Sequence, residues 1–147
     1  MSGAILNIRR ADMGDIQNIA AAEKNYIDCP WSEKQIIDEL AKDNALFFVA
    51  DCDGEFAGYV SAVCAADECE IANVAVLDAY RRKGIATKLL LSLISAAKDV
   101  GARAVFLLVN EHNVGAQSLY KKLGFTELGR RAAYYGNNDA VSMRLNV

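Results

Sequence analysis

Residues 81–87 read RRKGIAT, three cations and a glycine in front of a segment whose apolar residues recur at helical spacing: Ile85, Leu89, Leu90, Leu93, Ile94 and Ala97. The positive end of a helix macrodipole disfavours cations. A bound anion resolves the conflict. The leading N–H groups of a helix have no partner inside it, and a phosphate accepts from several of them at once. Gly84 lets backbone approach such a ligand closely, Ala86 keeps the next position small, and Arg81, Arg82 and Lys83 offset phosphate charge. Taken alone, the segment fits a phosphate cradle and equally a solvated basic turn before a core helix. It is neither GxxxxGKS/T nor GxGxxG, which excludes a P-loop or Rossmann reading.

Other elements must position this turn. A buried strand, residues 70–76, leads into it. Upstream, residues 4–9 read as a first strand, and Asp12 is placed to cap a helix running to about Tyr26, with Asp15 in its first turn. Ser32 and Gln35 form a capping-box pattern for a helix over residues 33–42. A strand over 45–51, an Asp53-Gly54 turn and a strand containing Gly58 follow, then a turn at 66–68. Gly101 stops the long helix, and the continuous apolar run 104–109 marks a strand covered on both faces. Asn113 caps a helix to about Leu123, ended by Gly124, and two strands flank a turn at 136–139. The order β-α-α-β-β-β-α-β-α-β-β describes a mixed α/β, or α+β, domain around one sheet.

The length of 147 residues suits a single domain, 1–147, with one core. A net charge of -3 and a pI near 5.2 argue against general nucleic-acid binding. No apolar stretch reaches transmembrane length, and the first ten residues lack the apolar core of a secretory signal. This points to a cytoplasmic protein with no membrane partner. Cys29, Cys52, Cys64 and Cys69 form no CxxC pair, and His112 is the only histidine; no metal is expected, and the thiols read as reduced.

The strand, turn and helix around Gly84 resemble motif A of the GNAT superfamily of acyl-CoA N-acetyltransferases, Q/R-x-x-G-x-G/A after an apolar strand. NEHNVGAQSLYKKLGF, residues 110–125, resembles its motif B, with Asn113, Ala116, Leu119, Tyr120, Lys122, Gly124 and Phe125 on the motif positions. The resemblance implies a central, mostly antiparallel sheet of about seven strands with a splayed parallel pair and four flanking helices. It implies acetyl-CoA as cofactor. Backbone groups of Val74, Ala75 and Val76 would pair with the pantetheine arm, and Arg81, Arg82, Lys83, Gly84, Ile85, Ala86 and Thr87 would face the pyrophosphate. Asn113 and Tyr120 would touch the cofactor from its other side. CPWSEK (29–34) and RRAAYYGNNDAVSMRL (130–145) are similar to segments of the RimI group of ribosomal-protein-alanine N-acetyltransferases. By that resemblance Trp31, Tyr134 and Tyr135 line the groove for the acceptor's N-terminal residues, and the partner is a protein N-terminus, most plausibly ribosomal.

In the family the amine attacks the thioester directly. A backbone N–H near Val76 and Val109 would polarise the carbonyl. Tyr120 matches the tyrosine beside the sulfur and would act as general acid. The RimI group carries a glutamate where this chain has Leu108. Glu70, similar in position to the glutamate of the superfamily's histone acetyltransferases, and Glu111 are the substitutes for the base. A backbone α-amine, with a pKa about 2.5 units below lysine, starts about 3.4 kcal/mol closer to its neutral form, so the loss weakens a lysine-acetylating role more than an N-terminal one. Asp28, Glu33, Asp38, Glu39, Asp67, Glu68 and Glu70 gather on the predicted acceptor side and would draw a cationic substrate. A small amine or lysine acceptor, or a CoA-binding module without catalysis, are the alternatives.

Overall fold

The computed structural model describes residues 5–147. Its elements run β1 (Leu6–Arg10), α1 (Ile16–Tyr26), α2 (Glu33–Leu40), β2 (Ala45–Cys52), β3 (Glu55–Ala65), β4 (Glu68–Val76), α3 (Ile85–Asp99), β5 (Ala104–Asn110), α4 (Val114–Lys122), β6 (Thr126–Arg131) and β7 (Ala140–Asn146). The expected order is reproduced. Ala4, expected in the first strand, lies outside the described residues.

One seven-stranded sheet has the order β1-β2-β3-β4-β5-β7-β6. Every neighbouring pair is antiparallel except β4–β5, which is parallel because α3 carries the chain across between them. On one face α3 buries Leu89, Leu90 and Leu93 against Val60, Ile71, Val105 and Leu107, and Tyr120 and Phe125 extend that core beside α4. On the other face α1 and α2 bury Ile16, Ile19 and Ile36 over Phe47, Val49 and Tyr59.

Local chemistry sets the element ends. Ser32 and Gln35 form the reciprocal capping box, Gln35 N–H to Ser32 Oγ at 3.2 Å and Ser32 N–H to Gln35 Oε1 at 2.8 Å. Asp12 caps a tight turn over Met13–Asp15 rather than α1 itself, because Asp15 bonds back to the Asp12 N–H at 2.9 Å. Arg9 then clamps Asp15 with two bonds of 2.7 and 2.9 Å and reaches Asp51 at 2.7 Å.

Three expectations change. The apolar run in β5 is covered on one face only: Val105, Leu107 and Val109 are buried, while Phe106 and Leu108 are half-buried, because clefts lie over that side. Cys64 and Cys69 are not free thiols. The β3–β4 hairpin sets them opposite one another, with Cα atoms 4.0 Å apart, and they are joined by a disulfide; Cys29 and Cys52 remain free. Finally, α2 stops at Leu40, short of Lys42.

Candidate active site

β4 and β5 pair only from Glu68–Ala104 to Ile71–Leu107. At that point β4 carries an extra residue: Asn73 faces Ser61 and Ile71 faces Ala62, which leaves Ala72 without a partner. A bulge bends its strand and increases local twist. Beyond Ile71 the side of β4 that faced β5 has no strand partner, so the sheet opens there.

One cleft of about 520 Å³ lies along the open end of β4 and the start of α3. Val74, Ala75, Val76, Arg81, Arg82, Gly84, Ile85, Ala86 and Thr87 line it, and Asn113 and Tyr120 close it from α4. Of the residues read as facing the cofactor, Lys83 alone is absent; its ammonium lies 5.8 Å from the Tyr80 ring. Gly84 is the N-cap of α3 with φ +74 and offers no side-chain acceptor, so the leading N–H groups of α3 are left for a ligand. A Cβ on Gly84 would meet nothing within 4 Å. Arg81 is already engaged, with its Nε 3.2 Å from the Val76 carbonyl oxygen and its guanidinium 5.1 Å from the Tyr26 ring. Gly58 allows β3 to approach this strand: a Cβ there would stand 2.5 Å from the Ala75 carbonyl oxygen.

A second cleft, about 460 Å³, occupies the split itself. Ile71–Val74 and Leu107–Asn110 form its walls, and Tyr26, Ile27, Asp28, His112, Tyr135 and Asn138 also line it. Tyr120 lines both clefts and is only 5% exposed. Burial raises the pKa of its phenol, with a smaller push from Tyr135, so the hydroxyl holds its proton at neutral pH. Burial, then Tyr134, Asp28 and Cys29, push Tyr135 up to about 12.

An adjoining cleft of about 440 Å³ brings together Trp31, Tyr134, Tyr135 and Glu70, from two loops and β4. Tyr134 packs edge-on against Tyr135 with centroids 5.0 Å apart, and Trp31 stacks on Phe47 at 6.4 Å. The two carboxylates read as base candidates separate here. Glu70 is exposed on the wall of this cleft and also lines a neighbouring one of about 340 Å³ with Glu68 and Arg131. Glu111 turns to the β6–β7 loop, accepting from the Asp139 N–H at 2.6 Å and pairing with Arg130 at 3.3 Å, and lines neither cleft. The acidic group read as one cluster is dispersed: Asp38 and Glu39 pair with Lys34 and Lys42 on and just beyond α2.

Sequence reasoning missed Glu23. Fully buried, it accepts from the Trp31 N–H and the Asn73 amide, each at 2.8 Å, and from the Tyr59 hydroxyl. Burial raises its pKa against the opposing pull of these three donors. The signal was present: Ile16, Ile19, Glu23 and Tyr26 share one helical stripe, so a carboxylate stands at an inward position. Glu23 thereby ties α1 to Trp31 and Asn73, both of which line the cleft of about 440 Å³.

The sheet is thus split at its one parallel pair, with an uncapped helix start on one side and an aromatic, acidic groove on the other. The model of the acetyltransferase (GNAT) family matches residues 10–125, and the chain belongs to that family. It is 31% identical over 143 residues to a putative ribosomal protein bS18-alanine N-acetyltransferase of Bacillus subtilis, covering 95% of each chain. The crystal structure of a ribosomal-protein-alanine N-acetyltransferase from Escherichia coli superposes with a TM-score of 0.90 at 28% identity, over 97% of this chain and 94% of that one. Arabidopsis thaliana NAA60 in complex with acetyl-CoA shares the fold at 18% identity, with a TM-score of 0.87 and coverage of 97% and 99%. Among the described residues no helix is long and apolar enough to cross a membrane, and no group of three or more His, Cys, Asp or Glu is arranged to hold a metal.

Proposed function

We propose that residues 1–147 act as one acetyltransferase domain that moves an acetyl group from acetyl-CoA to a protein N-terminal α-amine, first of all the alanine terminus of a small-subunit ribosomal protein. The observation that carries this is the meeting of the two clefts at Tyr120. Names of relatives similar along almost the whole chain support the acceptor.

Acetyl-CoA supplies the activated thioester. The uncapped start of α3 suits its pyrophosphate, and Arg82 adds charge at the same end. Backbone groups on the open edge of β4, within Val74 to Val76, hold the pantetheine arm and steady the thioester carbonyl. Tyr120, kept protonated by burial, gives its proton to the departing sulfur. Trp31, Tyr134 and Tyr135 hold the first residues of the acceptor. Glu70 stands where the following residues run and attracts a cationic chain, while Glu111 holds the end of β5 against the β6–β7 loop.

The groove beyond Trp31 runs on past Glu70 and Glu68, which favours a peptide over a small amine. The test is mass spectrometry of acetyl transfer to hexapeptides beginning with alanine, serine or methionine, to a blocked peptide with an internal lysine, and to spermidine. Transfer to the α-amine of the alanine peptide is expected. Transfer to spermidine or lysine alone moves the acceptor assignment, and cofactor binding without any transfer replaces the enzyme by a CoA-binding module.

A further inference from the structure

The structure leaves the attacking amine without the proton acceptor that the resemblance led one to expect, since Leu108 stands in that position on the floor of the acceptor cleft. Among the residues lining the cleft that holds Tyr120, the single carboxylate belongs to Asp28. We propose that Asp28, which lines the same cleft as Leu108, takes the proton from the attacking amine in place of the absent side chain.

The geometry is specific. Asp28 lies in the loop between α1 and α2, and the Asn110 amide, at the end of β5, donates to its Oδ2 at 3.0 Å. That bond crosses 82 residues of sequence and ties the loop between α1 and α2 to the end of β5. Oδ1 has no protein donor among the described residues. Tyr135 marks the same corner: its hydroxyl is 3.4 Å from the Leu108 carbonyl oxygen. The charge of Asp28 is also one of the influences, after burial and Tyr134, that raise the Tyr135 phenol. The other candidates differ. Glu111 is held by Arg130 and the Asp139 N–H, Glu70 lines the adjoining clefts, and His112 lines this cleft next to the α4 cap Asn113.

The step balances. The amine nitrogen bonds to the acetyl carbon as the carbon–sulfur bond breaks. The amine proton passes to Asp28, directly or through one water, and the Tyr120 proton passes to the sulfur. Asp28 then releases its proton to solvent and Tyr120 regains one, leaving an amide and a free thiol. This rests on the acetyl-transfer function proposed above.

The deciding experiment compares Asp28→Asn, Asn110→Ala and His112→Gln in steady-state kinetics on whichever primary amine the wild-type enzyme acetylates. An acceptor other than the alanine peptide would therefore revise the acceptor class without touching Asp28. The asparagine at 28 still accepts from Asn110, so it keeps the tie and removes only the base. We expect Asp28→Asn to lower kcat about 100-fold at unchanged KM for acetyl-CoA, the scale of general-base catalysis. Asn110→Ala, which keeps the carboxylate, should lose less, and added formate should restore part of the activity of Asp28→Ala. A kcat within twofold of wild type in Asp28→Asn overturns the proposal, as does a comparable loss in Asn110→Ala with no rescue by formate, or a dominant loss in His112→Gln.

Discussion

The cleft along α3 and the cleft in the split share Tyr120, and the proposed donor and acceptor sides they belong to are built in opposite ways. The donor cleft takes its length and its anion-facing end from one short stretch, residues 74–87, and borrows its far wall from α4 and Tyr26 from the end of α1. Its working groups are largely backbone: an open strand edge and an uncapped helix start. The acceptor side assembles Asp28 and Trp31, Glu70 and Asn73, Leu108, and Tyr135 from four separate parts of the chain, and relies on their side chains. A contact made by backbone in a local motif needs only the right turn. A contact made by distant side chains needs the whole sheet in register.

The sharpest way to break this contrast is Gly84→Glu. Its side chain would enter the cleft with a charge like that of the phosphates, at a φ of +74 that already strains a residue with a Cβ. Affinity for acetyl-CoA should fall at least about 100-fold, or about 2.8 kcal/mol, by titration calorimetry. Unchanged binding would remove the pyrophosphate from this end of α3. Next comes the shared residue: Tyr120→Phe should lower kcat by about 100-fold while acetyl-CoA affinity stays near wild type. An unaltered rate takes Tyr120 out of the chemistry.

On the acceptor side, Glu23→Ala strands one buried donor, the Tyr59 hydroxyl, and two part-buried ones, the Trp31 N–H and the Asn73 amide; an unpaired buried donor costs about 1–3 kcal/mol. We expect a loss of at least about 3 kcal/mol in denaturant unfolding and a shifted emission from Trp31, the sole tryptophan. Among folded molecules the KM for the acceptor should rise more than that for acetyl-CoA; equal rises would mean that Glu23 supports both clefts alike. Smaller effects should separate Glu70→Gln, which raises the acceptor KM several-fold, from Glu111→Gln, which chiefly lowers the melting temperature. The mildest concerns acid. Burial would raise the pKa of Asp15, but bonds from Arg9 and the Asp12 N–H outweigh it and hold the carboxyl below its usual range. Its stabilisation is present above the ordinary carboxylate pKa and disappears as pH falls through the lowered native one. Thermal melts of Asp15→Asn should therefore lose less stability than wild type between pH 5 and roughly pH 2; parallel curves would show that the clamp carries no pH dependence.

Much of the frame was legible because it rests on neighbours in sequence. Ser32 with Gln35 marks a helix start, Asn113 another, and Gly58 inside a strand signals close backbone approach. Other features were hidden for physical reasons. The extra residue at Ala72 has no signature of its own, since a bulge is a mismatch between two strands. The disulfide follows from the hairpin register that faces Cys64 with Cys69. Leu108 reads as core, yet it is half-buried on the floor of a cleft that opens where β4 and β5 part.

The sequence by itself determined the order of elements, the glycine turn that opens α3 and the tyrosine on α4, because hydrophobic period, capping and turn chemistry act within a few residues. Only the tertiary structure decided where β4 and β5 part, which carboxylate is buried, which is tied into a turn and which faces the split. Those outcomes depend on strands and loops far apart in the chain, and a carboxylate acquires its role from the donors and the solvent it meets after folding.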